Sequence, residues 1–234
     1  MPVMNSMIPA ISIQGLVLAF LPAAIVIAIM LRWRSVARTA IYASVRMLVQ
    51  LLLVGYVLIY IFESDQWPLI ATVLIMMLTV SSWIAIRTLD HRSVLAYFQA
   101  LAAITIGGVL TLGLVTQFVI NVEPWFSPRY VVPLAGMIFA GSMNAVSLAA
   151  ERFQAESNRG VEYEEARRTA LQAALIPIIN SLFAVGLVAL PGMMTGQILS
   201  GVSPLIAAEY QIVVMTMLFG STGISAAIYL YLQR

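Results

Sequence analysis

The chain has 234 residues, of which 62% are hydrophobic and only 9% are charged. Soluble domains carry about 25% charged residues, so this composition excludes an ordinary water-soluble protein and indicates one that lies in a membrane. The formal charge of +2 gives no argument for nucleic-acid binding. Without cysteine or lysine, the chain has no thiolate metal site and no phosphate-binding loop of the kind that needs a lysine.

Apolar runs long enough to cross a bilayer occur seven times, and each needs roughly 20 residues. Short polar connections separate them, and no repeat or separate soluble domain is evident. The sequence therefore predicts an all-α, polytopic membrane bundle of about seven helices that forms a single domain over residues 1–234. The predicted spans are residues 11–31, 36–62, 68–87, 94–120, 131–150, 171–190 and 205–232.

The arginines predict the orientation of the bundle. With seven spans, those after the first, third, fifth and seventh helices fall on one side, and the opposite side holds only Arg129. Since cytoplasmic loops are enriched in basic residues, we expect the N-terminus outside and the C-terminus in the cytoplasm. The first helix has basic residues after it and none before it, the reverse of a cleaved secretory signal.

Arg46 and Gln50 lie one turn apart inside the second predicted helix. A charge in lipid is costly, which leaves two interpretations open. Arg46 could line a path through the bundle or pair with an acid such as Glu209. Alternatively, its side chain could extend to the cytoplasmic interface.

Residues 190–201 are the most unusual stretch of the sequence. Pro191 favours a helix start, and Gly192, Gly196 and Ser200 follow at intervals of four. The pattern predicts a break and then a short or re-entrant helix, whose small residues serve either in packing or beside a transport cavity. A second stripe, Gly141, Ala145 and Ala149, is typical of helix packing.

Polar or soft side chains in the later helices are candidates for a transport path. Amide, carboxylate and thioether groups suit a cation, although methionines in an apolar bundle also act as packing filler. The lone His91 gives neither a histidine metal cluster nor a catalytic triad, so we expect no enzymatic activity. The path candidates are Arg46, Gln50, Asn144, Asn180, Met193, Met194, Gln197 and Glu209.

The longest polar stretch, residues 151–170, lies after the fifth predicted helix. The pattern predicts a helix, an interruption at Gly160 and a second helix entering the membrane, with Glu164 and Arg168 in the favourable i,i+4 order. This stretch is either a solvated loop or a docking surface for a cytoplasmic partner.

An ordered set of motifs resembles the FetB/YbbM-type permeases, a family that includes bacterial iron exporters and plant aluminium-tolerance proteins. The match begins at Arg46 and Gln50-Leu51 and continues through Gly136-Met137-Ile138 and Ser142-Met143-Asn144-Ala145. It includes Ala174-Leu175-Ile176-Pro177 and is most specific from Leu190-Pro191-Gly192-Met193-Met194-Thr195-Gly196-Gln197 to Tyr210-Gln211-Ile212. Gly160 and Glu164-Glu165-Ala166 are similar to the cytoplasmic loop of that family.

The resemblance implies a permease subunit of an ABC exporter in a bacterial inner membrane, which moves iron or another metal cation. Two copies would form the path, and a separate ABC ATPase subunit would hold ATP and Mg, so this chain itself would bind no cofactor. A secondary transporter, a membrane scaffold, or an exporter of an organic solute such as a nucleotide sugar remain alternatives. The implied ATPase-coupling residues are Glu151, Glu156, Gly160, Glu164, Glu165, Arg167 and Arg168.

Overall fold

The computed structural model describes residues 11–63, 66–89 and 92–234, and these form helices joined by short turns. Within these ranges, six helices or helix pairs are long and apolar enough to cross a membrane. The predicted all-α, multi-pass architecture is therefore confirmed. The six spans are Ile13–Arg32, Ala37–Phe62, Trp67–Thr88, Val94–Val119, Pro128–Asn158 and Pro204–Tyr231.

The chain divides into two compact units, Met1–Glu63 and Ser64–Arg234. In the first unit, α1 (Ile13–Ala19) begins where the Ser12 hydroxyl accepts a hydrogen bond from the Gly15 N–H at 3.1 Å. A break at Phe20 separates it from α2, Leu21–Arg32. Pro22 lies in the first turn of α2, where the backbone N–H that proline lacks would have no partner within the helix. The helix α3, Ala37–Phe62, carries Arg46 and Gln50.

The second unit contains six α-helices among its described residues. Two of them are extended by a different helical form: a 3₁₀ turn, Ile86–Thr88, follows α4, and a π turn, Val115–Val119, follows α5. The helices are α4 (Trp67–Ala85), α5 (Val94–Leu114), α6 (Pro128–Asn158), α7 (Tyr163–Ala184), α8 (Gly192–Leu199) and α9 (Pro204–Tyr231).

The helix α9 is the centre of the second unit, because it packs against α5, α6, α7 and α8. Small residues allow this close packing. The Ser142 hydroxyl of α6 donates to the Ser221 carbonyl of α9 at 3.3 Å. Where α6, α7 and α9 meet, a buried cluster contains Ala145, Ala149, Ala170, Ala174, Ala226 and Leu230, and this confirms the predicted packing stripe on α6.

Three helix ends lie together at one end of the second unit. Gln99 of α5 donates through Nε2 to the Leu232 carbonyl at 2.6 Å, and the Tyr163 hydroxyl of α7 donates to the Leu230 carbonyl at 3.0 Å. The arginines near the starts of α5 and α7 therefore share an end with Arg234, as the arginine pattern requires. That this end is cytoplasmic remains a prediction.

The sixth predicted span, residues 171–190, differs most from the structure. Its helix, α7, begins earlier, at Tyr163, and ends at Ala184. Val185 is extended and Gly186 has a φ of +84°, which ends the helix even though the sequence stays apolar. The short helix α8 begins directly after Pro191, which confirms the predicted break and short helix.

Candidate functional site

A cavity of about 260 Å³ lies between α6, α7 and α9. It is at mid-helix depth, because its walls come from the middle of α6, the second half of α7 and the middle of α9. Among the described residues, no ionisable side chain lines it. The residues that give the cavity its chemistry are Met137, Asn144, Pro177, Ser181, Leu218 and Thr222.

Hydrogen bonding makes the cavity wall richer in acceptors than in donors. The Ser181 hydroxyl donates to the Pro177 carbonyl at 2.9 Å, and the Thr222 hydroxyl donates to the Leu218 carbonyl at 2.7 Å. Each hydroxyl has thus used its proton on its own helix and keeps oxygen lone pairs to offer. Together with the Asn144 amide and the Met137 thioether, these acceptors suit a cation better than an anion.

Asn144 is the one predicted path residue that lines this cavity. Asn180 lies on α7 but is exposed and outside the cavity lining, and Glu209 is exposed on α9. Met193, Met194 and Gln197 lie on α8, which packs on α9. Arg46 and Gln50 belong to the first unit, and the proposed pairing of Arg46 with Glu209 stays a prediction.

Sequence reasoning missed Ser181 and Thr222 as cavity residues. A hydroxyl in an apolar helix ordinarily satisfies itself on the carbonyl one turn earlier, so neither residue stands out. One sequence feature does point to Ser181, which is that Pro177 lies one turn before it. The proline removes the N–H that would bond the Ala173 carbonyl, which marks α7 as a locally opened helix at this depth.

Two glutamine side chains carry buried oxygens without a partner among the described residues. They are the Oε1 atoms of Gln197 on α8 and Gln211 on α9, and only 5% of Gln211 is exposed. The small residues beside Gln197 are not packed within the described chain: a Cβ added to Gly192 or Gly196 would meet nothing within 4 Å. The glycines of α8 therefore leave open space beside this helix among the described residues.

The α6–α7 hairpin forms a charged surface at the end shared by the three helix termini. Glu156 is only 7% exposed, and its Oε1 lies 2.6 Å from Nη2 of Arg152 and 3.8 Å from Nη1 of Arg159. Gly160, with a φ of +77°, makes the turn between the helices. This confirms the predicted helix, interruption and second helix.

The first turn of α7 pairs its charges differently from the prediction. Glu164 contacts Arg167 three residues later, and the predicted pairing with Arg168 is wrong. The Arg167 guanidinium lies over the Tyr163 ring, 5.5 Å from its centroid, and this orients it back toward Glu164.

A groove of about 880 Å³ runs beside the first turns of α7 and the end of α9. Four predicted coupling residues line it: Glu164, Glu165, Arg167 and Arg168. The other three, Glu151, Glu156 and Gly160, lie on the hairpin outside the groove lining. Its apolar wall is formed by Leu171, Ile228 and Leu230, so the groove combines charged and apolar contacts as protein interfaces do.

The residues over 11–63, 66–89 and 92–234 include no group of three or more histidine or acidic side chains placed to hold a metal ion. Any cation that the cavity accepts would therefore meet neutral oxygen and sulfur ligands. Such ligands bind a passing ion more weakly than a resident cluster of carboxylates or histidines would.

The apolar spans, with the uncharged mid-depth cavity and the charged hairpin, define a multi-pass membrane protein. The model of an uncharacterised protein family designated UPF0014 matches residues 13–234, and the chain belongs to that family. This confirms the resemblance found in the sequence and the predicted multi-pass membrane location.

Several curated relatives are similar along most of their length. A UPF0014 membrane protein of Synechocystis is 34% identical over 90% of this chain and 87% of its own. The probable iron export permease protein FetB of Escherichia coli is 34% identical, covering 80% and 76% respectively. The Arabidopsis protein ALUMINUM SENSITIVE 3 is 31% identical, covering 82% and 74%. No solved structure matches the chain.

Proposed function

We propose that this chain is the membrane-spanning subunit of an exporter that moves a metal cation of the iron class, with ATP hydrolysed by a separate subunit. The single observation that carries the proposal is the cavity between α6, α7 and α9, whose oxygen and sulfur acceptors include Asn144 and Met137. The relative from Escherichia coli named as a probable iron export permease supports the same substrate class.

The size of the cavity favours an ion over a large organic solute. Pockets for drug-sized molecules measure about 300–1,000 Å³, and this cavity, at about 260 Å³, is below that range. A nucleotide sugar also carries phosphates, which would need basic partners, and the cavity lining has none.

The energy source must lie on another chain if ATP drives the transport, because this chain lacks the lysine of a phosphate-binding loop. The groove at the start of α7 and the adjoining hairpin offer the ATPase subunit both charge and apolar surface. A second copy of the chain would complete the path, in keeping with the exposed Asn144 and the unpacked glycines of α8.

Co-purification and ATPase assays test this function. The chain is expressed with a candidate ABC ATPase from the same organism, and hydrolysis is measured in lipid with Fe²⁺, with Mg²⁺ alone and with a nucleotide sugar. We expect a stable complex in which Fe²⁺ stimulates hydrolysis and the sugar does not. A complex stimulated only by the sugar would assign an organic substrate. A folded chain that binds no ATPase would contradict the proposal and favour a secondary transporter.

A further inference from the structure

Tyr163, the first residue of α7, contacts two other helices as well as its own. Its ring meets the ring of Phe153 of α6 edge to face, with centroids 5.8 Å apart, and lies under the Arg167 guanidinium. Its hydroxyl donates to the Leu230 carbonyl of α9 at 3.0 Å and lies 3.5 Å from the Tyr231 carbonyl. Among the described residues, Tyr163 is the one residue of the charged hairpin whose side chain hydrogen-bonds to the end of α9.

The end of α9 is a place where such a contact matters. The last four carbonyls of a helix have no partner within the helix. Here the chain's own end supplies one donor, the Gln233 N–H to the Leu230 carbonyl at 3.3 Å, and other helices supply more. Tyr163 donates to Leu230 from α7, and Gln99 donates to Leu232 from α5 and accepts from Gln233 Nε2 at 3.0 Å. The final turn of α9 is therefore held from two sides by two different helices.

The contacts of Tyr163 with α9 and with α6 differ in how strictly they fix the two partners. The hydrogen bond to Leu230 is directional and fixes α7 to α9, whereas the edge contact with Phe153 is apolar and tolerates small sliding. A displacement of the first turn of α7 should therefore carry the end of α9 with it. From Leu230 to the cavity residue Thr222 there are eight residues, or about 12 Å along the helix.

We infer that the Tyr163 hydroxyl is a positioning group that makes α7 and α9 move together when the charged hairpin is displaced, so that both walls of the cavity respond. The inference rests on the proposed function, since it assumes that an ATPase displaces the hairpin. α7 supplies Pro177 and Ser181 to the cavity and α9 supplies Leu218 and Thr222. With the link intact, these two walls shift together.

The test is Tyr163→Phe, which keeps the ring and removes only the hydroxyl. Cation transport and ATP hydrolysis are measured together in lipid vesicles containing the permease–ATPase complex. We expect hydrolysis and ATPase binding to stay within about twofold of the unmodified complex. The number of cations moved per ATP should fall about fivefold, the factor that corresponds to a net hydrogen bond of about 1 kcal/mol.

The matched control is Tyr97→Phe in α5. It makes the same chemical change in a residue whose hydroxyl has no hydrogen bond among the described residues and which lies outside the groove. We expect transport per ATP to be unchanged in this variant. An equal loss of cations moved per ATP in Tyr163→Phe and Tyr97→Phe would overturn the inference.

The remaining outcomes are equally decisive. An unchanged ratio in Tyr163→Phe would overturn the inference while leaving the proposed function intact. Loss of ATPase binding, or a thermal transition well below that of Tyr97→Phe, would assign Tyr163 a docking or folding role and would also overturn it. Failure of the proposed function is seen separately, as an unmodified complex that neither hydrolyses ATP nor moves cations.

Discussion

Gly107 of α5 lies so close to Ser225 of α9 that a Cβ on the glycine would sit 2.3 Å from the serine hydroxyl and 2.9 Å from the serine nitrogen. The second of these atoms is backbone and cannot rotate away. The two helices therefore approach as closely as their backbones permit, which requires a residue without a side chain at position 107.

Substituting Gly107→Ala should destabilise the bundle. Overpacking of a tight contact costs about 1–3 kcal/mol, and the backbone of α9 would have to move. The matched control is Gly113→Ala, two turns later in the same helix, where an added Cβ meets nothing within 4 Å. That variant should be neutral or stabilised by up to about 1 kcal/mol. Thermal unfolding in one detergent compares them, and equal transition temperatures would contradict this account.

Removing the charge of Glu156 should loosen the α6–α7 hairpin. Glu156→Gln weakens the contacts with Arg152 and Arg159 and should lower the free energy of unfolding by about 2 kcal/mol. It should also reduce co-purification of the ATPase. Glu151→Gln alters an exposed acid that is in none of the ion pairs described, and it should leave the free energy of unfolding unchanged. A larger loss of stability in Glu151→Gln than in Glu156→Gln would refute the stabilising role given to the ion pairs of Glu156.

Asn144→Ala should weaken cation binding in the cavity. It removes the only side-chain amide that the described residues place in the lining, and we expect the apparent dissociation constant for Fe²⁺-stimulated hydrolysis to rise about fivefold to tenfold. Asn180→Ala makes the same change outside the cavity and should leave that constant within about twofold. Similar shifts in both variants would show that the cavity is not the site of selection.

The Gln211 Oε1 atom, which has no partner among the described residues, should lower the stability of the fold. Gln211→Met removes a buried polar group and keeps a similar volume, so the free energy of unfolding should stay level or rise by about 1 kcal/mol. Gln99→Met is the same substitution at a residue that bonds to Leu232 and Gln233, and it should be destabilising. A marked loss of stability in Gln211→Met would reveal a partner for that oxygen.

The presence and the start of a helix can be predicted from the sequence, because the length of an apolar run and the capping residue are local properties. The fourth predicted span began at Val94, as the structure has it, since Ser93 caps the helix through its hydroxyl. The end of α7 could not be found in the same way. Residues 185–190 stay apolar, and the helix ends through its backbone conformation, which is extended at Val185 and has a positive φ at Gly186.

The candidate site was predictable where a residue is unusual for its setting. Asn144 stands out as an amide in an apolar helix, and Glu156 stands out in the longest charged stretch. Ser181 and Thr222 look like ordinary helix hydroxyls, and the cavity becomes visible only when α6, α7 and α9 are packed together. The partner of Glu164 depended on the Tyr163 ring, which draws Arg167 into place.

The most direct test of the central claim is ATP-dependent Fe²⁺ accumulation in inside-out proteoliposomes that contain this chain and its ATPase. The account predicts accumulation that requires both subunits and ATP hydrolysis, is lost without the ATPase and is reduced in Asn144→Ala. Accumulation by the chain alone under an ion gradient, or none with an intact and hydrolysing complex, would contradict it.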